Sequence, residues 1–176
     1  FSPLEGFLNK DDYKSVLKNM RLSNGLLFPM PITLDVPEDL VSNLKINEFL
    51  ALRDPEGLIL AVLKVESIYQ PDLNKEAEDI FNTHDISHPG VDYLLNKSEK
   101  NYVGGKILGL NKPRHFDFLD FRHDPEDLKK FFKEKGWTKI VAFQTRNPMH
   151  RAHYEILKRA ADEADAKVLI HPVVGL

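Results

Sequence analysis

Apolar side chains recur with helical spacing near the start of the chain. Four of them occupy positions i, i+3, i+4 and i+7, which is one face of an α-helix: Tyr13, Val16, Leu17 and Met20. Asn9 precedes this face and is a suitable N-cap, while Asp11 and Asp12 suit the positively polarised first turn. The pattern therefore predicts a helix that begins after Asn9, and Asn24-Gly25 predicts a turn beyond its end.

Runs of apolar and β-branched residues in the next part of the chain predict strands. The segment 47–69 contains two such runs around Asp54-Pro55-Glu56-Gly57, a tetrapeptide that fits a type I turn. Segment 26–36 is extended in character, but Pro29 and Pro31 restrict it to an edge or irregular strand. Residues 101–110 predict another strand, with Gly104-Gly105 as a bulge or bend. With short helices expected at 72–82 and 89–96, the first 110 residues predict a small, β-rich mixed domain.

The pattern changes after a connector at 111–122. Asp124 as N-cap, Pro125 at the first helical position and Gly136 at the end delimit a predicted helix. The apolar run 138–143 predicts a buried parallel strand, and 167–174 predicts a second. Between them, a helix over 150–164 carries apolar residues on one side: Ile156, Leu157, Ala160, Ala161 and Ala164. Strand, helix and strand form a βαβ unit, for which a right-handed crossover is expected.

Composition narrows the function classes. Hydrophobic residues make up 42% of the 176 and charged residues 29%, as in an ordinary globular protein. The net charge of -3 argues against a general binder of nucleic acid or anionic membranes. No apolar stretch approaches the roughly 20 residues that span a bilayer. The absence of cysteine excludes disulfides and thiolate metal sites, and it permits a reducing compartment without establishing one. We predict a cytoplasmic location.

Polar side chains cluster where the first predicted strand of the βαβ unit becomes its helix. In an open parallel sheet, ligands bind beyond the carboxyl ends of the strands, and a helix N-terminus there attracts anions. Arg146 adds a guanidinium able to hold an oxyanion through two hydrogen bonds, and Gln144 and Asn147 add neutral donors. His150 and His153 lie about 60° apart around the helix and share a face. The cluster predicts an anion site, most naturally for nucleotide phosphate.

Two other interpretations of the histidines remain open at this point. A His pair at i and i+3 is also half of a metal site, although no nearby Cys, Asp or Glu completes a ligand set. Single Arg and His residues near a helix start are also common as solvated surface residues. We predict no protein-held metal.

The segment "QTRNPMHRAH", residues 144–153, closely resembles the Gln-x-Arg-Asn…His-x-x-His signature of the ATP sulfurylase (sulfate adenylyltransferase) family. Other segments resemble the same family in the same order: "FSPLEGFL" at the start, "HPGV" at 88–91 and "HPVVG" at 171–175. The His pair is also similar to the His-x-Gly-His phosphate motif of nucleotidyltransferases, with Ala152 in place of Gly. The match of Gln144 to Asn147 identifies that difference as a family variant.

The resemblance implies an enzyme that joins ATP and sulfate into adenosine 5'-phosphosulfate and pyrophosphate. Sulfate would attack the α-phosphorus in line, without a covalent intermediate. Gln144 and Arg146 would bind sulfate, and both would also belong to the ATP site. Four residues would complete that ATP site and, with Arg146, act in catalysis: Thr145, Asn147, His150 and His153. ATP would arrive as its Mg²⁺ complex, the ion being held mainly by the phosphates.

The resemblance also implies a fold. We predict an α/β chain, with a β-rich PUA-like domain at 1–115 and the opening βαβ of a Rossmann-like nucleotidyltransferase domain at 116–176. The family's second nucleotide motif, Gly-Arg-Asp-His, is absent from these residues. We therefore expect this chain to be part of a longer, homo-oligomeric enzyme and to be inactive alone. For His84 and His88 we predict a loop or interface role rather than catalysis.

Two alternatives to the sulfate-activating enzyme are retained. The first is a PUA-like module that binds RNA or protein, although the chain lacks the basic, aromatic-interleaved stripe typical of RNA binding. The second is a nucleotidyltransferase that transfers AMP to an acceptor other than sulfate. Gln144 and Arg146 argue against it, because such an acceptor should not need that pair. The direction of flux is not encoded in these residues.

Overall fold

This computed structural model describes residues 4–109, 111–112 and 115–173. The chain forms two compact units, Phe1–Arg114 and His115–Leu176. The sequence predicted a domain boundary between 115 and 116, and the compact units divide one residue earlier. Residues 1–3 of the first family segment lie outside the described residues. Residues 174–175, which end the last family segment and include the end of the predicted second βαβ strand, also lie outside them.

The first helix confirms the prediction from apolar spacing. Helix α1 spans Lys10–Asn19, and the side chain of Asn9 accepts hydrogen bonds from the backbone N–H groups of Asp11 and Asp12 at 3.0 and 2.9 Å. Met20 ends the helix in the left-handed conformation. Tyr13 and Val16 of the predicted apolar face are buried. Met20 was wrongly assigned to that face: it exposes 59% of its surface, because the helix has already ended at Asn19.

A five-stranded antiparallel sheet forms the frame of the first unit. Strand order is β1-β5-β4-β3, and β2 also pairs with β5. The bounds are Gly6–Phe7 for β1, Asp35–Val36 for β2, Phe49–Arg53 for β3, Ile59–Tyr69 for β4 and Asn101–Gly109 for β5. Strands β3 and β4 are joined at the predicted turn, where the N–H of Gly57 donates to the carbonyl of Asp54 at 3.0 Å. Only Asp35–Val36 of the proline-containing segment 26–36 becomes a strand.

The irregularity expected at Gly104-Gly105 is present, but its extra residue lies in the neighbouring strand. The β4–β5 register shifts between Val65 and Ser67, so Glu66 is the inserted residue. The expected bulge is therefore present, but it lies in β4 and not in β5. Glycine is needed at both positions for another reason, because neighbouring backbone approaches them too closely to leave room for a Cβ.

Short helices connect the strands of this unit. Helix α2 spans Glu38–Val41, α3 spans Leu73–Phe81 and α4 spans Pro89–Asp92, followed by a π-helical turn at Tyr93–Lys97. The latter elements confirm the helices predicted at 72–82 and 89–96. The central residues Leu63, Val65 and Val103 have no exposed surface, so the sheet has a closed apolar core.

A polar cluster is buried beside that core. The carboxylate of Glu76 on α3 accepts hydrogen bonds from the hydroxyls of Tyr13 and Tyr102 at 2.7 and 3.0 Å. The Tyr69 ring packs against both tyrosines, and its hydroxyl donates to the carbonyl of Leu8. Burial raises the pKa of Glu76 above its ordinary value, although both tyrosine hydrogen bonds act to lower it.

The second unit contains the predicted βαβ arrangement. A 3₁₀ turn at Leu119–Phe121 and helix α5, Pro125–Glu134, precede it. Strand β6 spans Ile140–Thr145, α6 spans Arg151–Ala164 and β7 spans Lys167–Pro172. The strands pair in parallel from Ile140 opposite Lys167 to Thr145 opposite Pro172. None of the helices in the described parts of the chain has the length and apolar character needed to cross a bilayer.

The prediction that both strands of this unit are buried was wrong. Val168 and Ile170 of β7 expose 38% and 47% of their surface, and Ile156, expected on the inner side of α6, exposes 64%. Leu157 is the one buried side chain among residues 115–173. The physical reason is that two strands packed against α6 cannot enclose both faces and both edges of their sheet.

Candidate functional site

The candidate site is the turn that joins β6 to α6. Strand β6 ends at Thr145, and His150 is the extended N-cap residue of α6, with φ -84° and ψ 161°. The first N–H groups of a helix have no intrahelical partners and carry partial positive charge. The turn therefore brings four non-helical residues, 146–149, to the positively polarised end of a helix of 14 residues.

Hydrogen bonds around Thr145 shape this turn. Its hydroxyl donates to the carbonyl of Asn147 at 2.8 Å and accepts from the Asn147 N–H at 3.1 Å. Its carbonyl accepts from the N–H of Val173 at 2.8 Å, beyond the end of β7. Thr145 thus fixes the path of the backbone on both sides of Arg146.

An open cleft of about 400 Å³ lies at the ends of the two strands. Its lining consists of Gln144, Thr145, Arg146 and Val173. The side chains of Gln144 and Arg146 are exposed there. Within the described residues no acidic side chain lines the cleft and no ion pair involves Arg146. The guanidinium is therefore available to a ligand that supplies negative charge.

The two histidines meet at the start of α6, as their spacing predicted. Their ring centroids are 5.6 Å apart, and the backbone N–H of His150 donates to Nδ1 of His153 at 3.2 Å. The His150 ring is exposed, whereas His153 is half-buried. The structure therefore brings both imidazoles to the same helix end as Arg146 and Asn147, although no hydrogen bond or ion pair joins the histidines to those two residues in the described part of the chain.

This arrangement is suited to binding anions. Guanidinium, amide and imidazole N–H groups donate hydrogen bonds, and the helix end adds backbone donors. No group of three or more His, Cys, Asp or Glu residues suited to a metal ion occurs among residues 4–109, 111–112 and 115–173. The donor set matches the oxygens of sulfate or phosphate.

Sequence reasoning missed two residues of this site. Val173 lines the cleft, and Phe143 packs its ring 5.5 Å from that of His153. Both are apolar residues that the pattern assigned to strands, and no spacing signal distinguishes them from core residues. Their roles depend on the parallel pairing and on the return of α6 over the sheet.

The other candidate histidines lie in the first unit. His84 Nε2 is 3.0 Å from the carbonyl oxygen of Asn74. His88 accepts a hydrogen bond from the N–H of Gly90 through Nδ1, and its ring packs on Phe81. These contacts are with neighbouring elements of the same unit, and the loop or interface role of both residues stays a prediction.

Two family models match consecutive parts of the chain. Residues 1–112 match the model described as a PUA-like domain, and residues 119–176 match the model described as ATP-sulfurylase. The two matches together leave only a short connector uncovered.

Curated relatives match the chain over its whole length. It is 49% identical over 178 aligned residues to a protein named sulfate adenylyltransferase from Schizosaccharomyces pombe, and 51% identical over 179 to one of the same name from Gibberella zeae. These alignments cover 36% and 31% of the relatives. The chain therefore spans about a third of their length.

A solved structure is also similar. The hexameric APS kinase from Thiobacillus denitrificans superimposes with a TM-score of 0.70 at 32% identity. The match covers 100% of this chain and 30% of that one.

Proposed function

The chain belongs to the ATP sulfurylase family, with a PUA-like domain ahead of the opening of the ATP-sulfurylase domain, and we propose that it contributes the sulfate- and phosphate-binding turn of a sulfate adenylyltransferase. The activity belongs to the longer protein that its relatives represent, because the chain spans only about a third of their length.

In the proposed reaction, an oxygen of sulfate attacks the α-phosphorus of ATP. A new S–O–P linkage forms, the bond from the α-phosphorus to the bridging oxygen breaks, and pyrophosphate leaves with that electron pair. Sulfate is a weak nucleophile, and both reactants are anions that repel each other. Catalysis then consists mainly of positioning the reactants and stabilising charge.

The cleft at the end of β6 supports this role. Arg146 would hold sulfate through its guanidinium, and Gln144 would donate an amide hydrogen bond to the same ion. Because no acidic side chain among the described residues lines the cleft, an incoming dianion would meet hydrogen-bond donors and the polarised end of α6. This single observation carries the proposal.

The remaining residues of the turn would hold ATP. Asn147 would donate its side-chain amide to the nucleotide, and His150 and His153 would donate to the phosphates and to the charge that develops on pyrophosphate. The hydroxyl of Thr145 already bonds to the backbone of Asn147. Its contribution to ATP binding and catalysis would therefore act chiefly through the shape of the turn.

Magnesium would enter with ATP. The cleft presents nitrogen donors rather than carboxylates, so its residues fit the phosphate oxygens and leave the cation to be held by those phosphates. Bound Mg²⁺ supplies positive charge that neutralises the triphosphate and stabilises the leaving pyrophosphate.

The full-length protein is the form in which to test this function. Pyrophosphate release from MgATP would be measured with sulfate, with molybdate as an alternative oxyanion, and without either. We expect sulfate-dependent release, and a reduction of kcat/KM of about 100-fold in Arg146→Ala, the size typical of losing one preorganised donor. Arg159→Ala removes an exposed arginine further along α6 and should leave the rate unchanged.

Other outcomes of this assay identify the alternatives. Release that is independent of sulfate would indicate a nucleotidyltransferase with a different acceptor. No release, together with RNA binding that Arg146→Ala leaves intact, would indicate a PUA-like binding module. Full activity of Arg146→Ala would contradict the proposed site.

Three further features belong to the same proposal. The chain alone would be inactive, since its two-stranded sheet leaves the site open. The full-length enzyme would assemble as a homo-oligomer, by analogy with the similar APS kinase, which is described as hexameric. It would function in the cytoplasm, independently of nucleic acid and membranes.

A further inference from the structure

The imidazole of His153 is held on several sides. It is half-buried, whereas Gln144, Arg146, Asn147 and His150 are exposed. Its Nδ1 accepts the N–H of His150, and the ring of Phe143 lies 5.5 Å from its own at an angle of 41°. His153 is therefore the more constrained imidazole of the pair.

The hydrogen bond to Nδ1 determines where the proton of a neutral ring lies. A nitrogen that accepts a backbone N–H carries no proton itself, so the proton is on Nε2. In the described part of the chain Nε2 has no protein hydrogen-bond partner. Nε2–H is thus a free donor at the start of α6.

Phe143 is placed to preserve this orientation. It lies on β6 two residues before the end of the strand, and its ring packs against the imidazole across a separation of ten residues. Phe143 is itself half-buried, which limits its movement. A 180° flip of the imidazole would put Cδ2 in the place of Nδ1 and Cε1 in the place of Nε2, which would break the bond from the His150 N–H and withdraw the free donor.

We propose that Phe143 is a positioning residue for His153, which it holds with Nδ1 toward the His150 backbone and Nε2–H toward a phosphate group of the ligand. This inference rests on the proposed function for the identity of that ligand. The orientation of the ring, however, can be measured without any ligand.

The first test reads the tautomer directly. Long-range ¹H–¹⁵N spectra of the ¹⁵N-labelled chain should show His153 with its proton on Nε2. In Phe143→Leu, which keeps apolar volume but removes the ring, the His153 nitrogen signals should shift toward the average of two tautomers. Phe143→Tyr should restore the wild-type pattern, and Phe131→Leu, which removes an aromatic ring from α5, should leave it unchanged.

The second test uses inorganic pyrophosphate as the ligand and measures binding to the same variants. We expect Phe143→Leu to weaken binding about fivefold to tenfold, with Phe143→Tyr close to wild type. Phe143→Leu combined with His153→Ala should bind no more weakly than His153→Ala alone, because a positioning residue acts only through its partner.

The two tests separate this inference from the proposed function. A wild-type His153 with its proton on Nδ1, or an Nε2–H signal unchanged in Phe143→Leu, would overturn the positioning role even if Arg146→Ala abolished binding. Additive losses in the double variant would overturn it as well. If the tautomer behaves as expected but the wild type binds neither pyrophosphate nor sulfate, the proposed function fails and the positioning role remains.

Discussion

The two units of the chain bury their apolar residues to very different degrees. In the first, Leu63, Val65 and Val103 are completely buried. In the described part of the second, only Leu157 is buried, and the sheet residues Val168 and Ile170 are exposed. The candidate binding groups lie in the second unit. We therefore expect stability and ligand binding to depend on separate units of the chain.

The physical reason for the contrast lies in sheet size. Five antiparallel strands with helices form a closed core, in which β5 pairs with strands from distant parts of the chain. The sheet of the second unit has only two parallel strands, so its outer edges are unpaired in the described residues. The consequence is a first unit that is sensitive to packing changes and a second unit whose stability depends on few contacts.

The largest effect should come from adding a methyl group where two backbones of the first unit touch. A Cβ at Gly104 would lie 2.2 Å from the carbonyl oxygen of Leu8, so the strands would have to separate. We expect Gly104→Ala to destabilise this unit by at least about 3 kcal/mol, the upper range for overpacking. Gly109→Ala is the control in the same strand, because its Cβ would have no neighbour within 4 Å.

Denaturant unfolding of both variants measures this effect. Equal stability of Gly104→Ala and Gly109→Ala would contradict the close approach of β5 to the segment around Leu8.

A second comparison tests the two apolar cores with the same substitution. Leu63→Ala should cost the first unit about 3 kcal/mol, and Leu157→Ala should cost the second about 2 kcal/mol, because exposed neighbours can relax into the smaller space. Hydrogen exchange of amides in β4 and β6 would report the two units separately. If Leu157→Ala costs as much as Leu63→Ala, the second unit has a denser core than its exposed strands indicate.

The smallest effect concerns the buried carboxylate of the first unit. Because burial raises the pKa of Glu76 above 4.5, the folded state binds its proton more tightly than the unfolded state does. The associated stability is present below pH 4.5 and is lost as the pH rises through the folded pKa. Glu76→Gln should remove this loss, so its stability relative to wild type should increase with pH over that interval.

Thermal unfolding between pH 4 and 8 would measure this dependence. Glu56→Gln, which changes an exposed carboxylate of the same unit, is the control for net charge. Parallel pH profiles for wild type and Glu76→Gln would contradict the raised pKa.

Local signals explain which elements the sequence could predict. The Asn9 cap, the Asp54–Gly57 turn and the strand-to-helix change after Thr145 depend on residues close together in the chain. The two-residue strand β1 could not be predicted, because it is defined only by pairing with β5, far along the sequence. Segment 26–36 was expected to be an edge or irregular strand, but the choice of Asp35–Val36 as its paired residues also depends on β5.

The same distinction applies to the candidate site. Gln144 to His153 are continuous in sequence, so spacing alone predicted that their side chains would gather at one helix end. Phe143 looked like an ordinary strand residue, and its contact with His153 depends on how α6 packs over β6. Ile156 was wrongly assigned to the buried side of α6 for a related reason. The spacing of apolar residues shows which side of a helix is apolar, but not whether another element packs against it.

The most direct test of the anion site is a titration of the ¹⁵N-labelled chain with pyrophosphate, followed in ¹H–¹⁵N correlation spectra of both units at once. The account predicts saturable shifts confined to the backbone amides of residues 144–147, 149–153 and Val173, with no shifts in β4 or β5 and none anywhere in Arg146→Ala. Shifts centred on the first unit, or a response unchanged in Arg146→Ala, would contradict it.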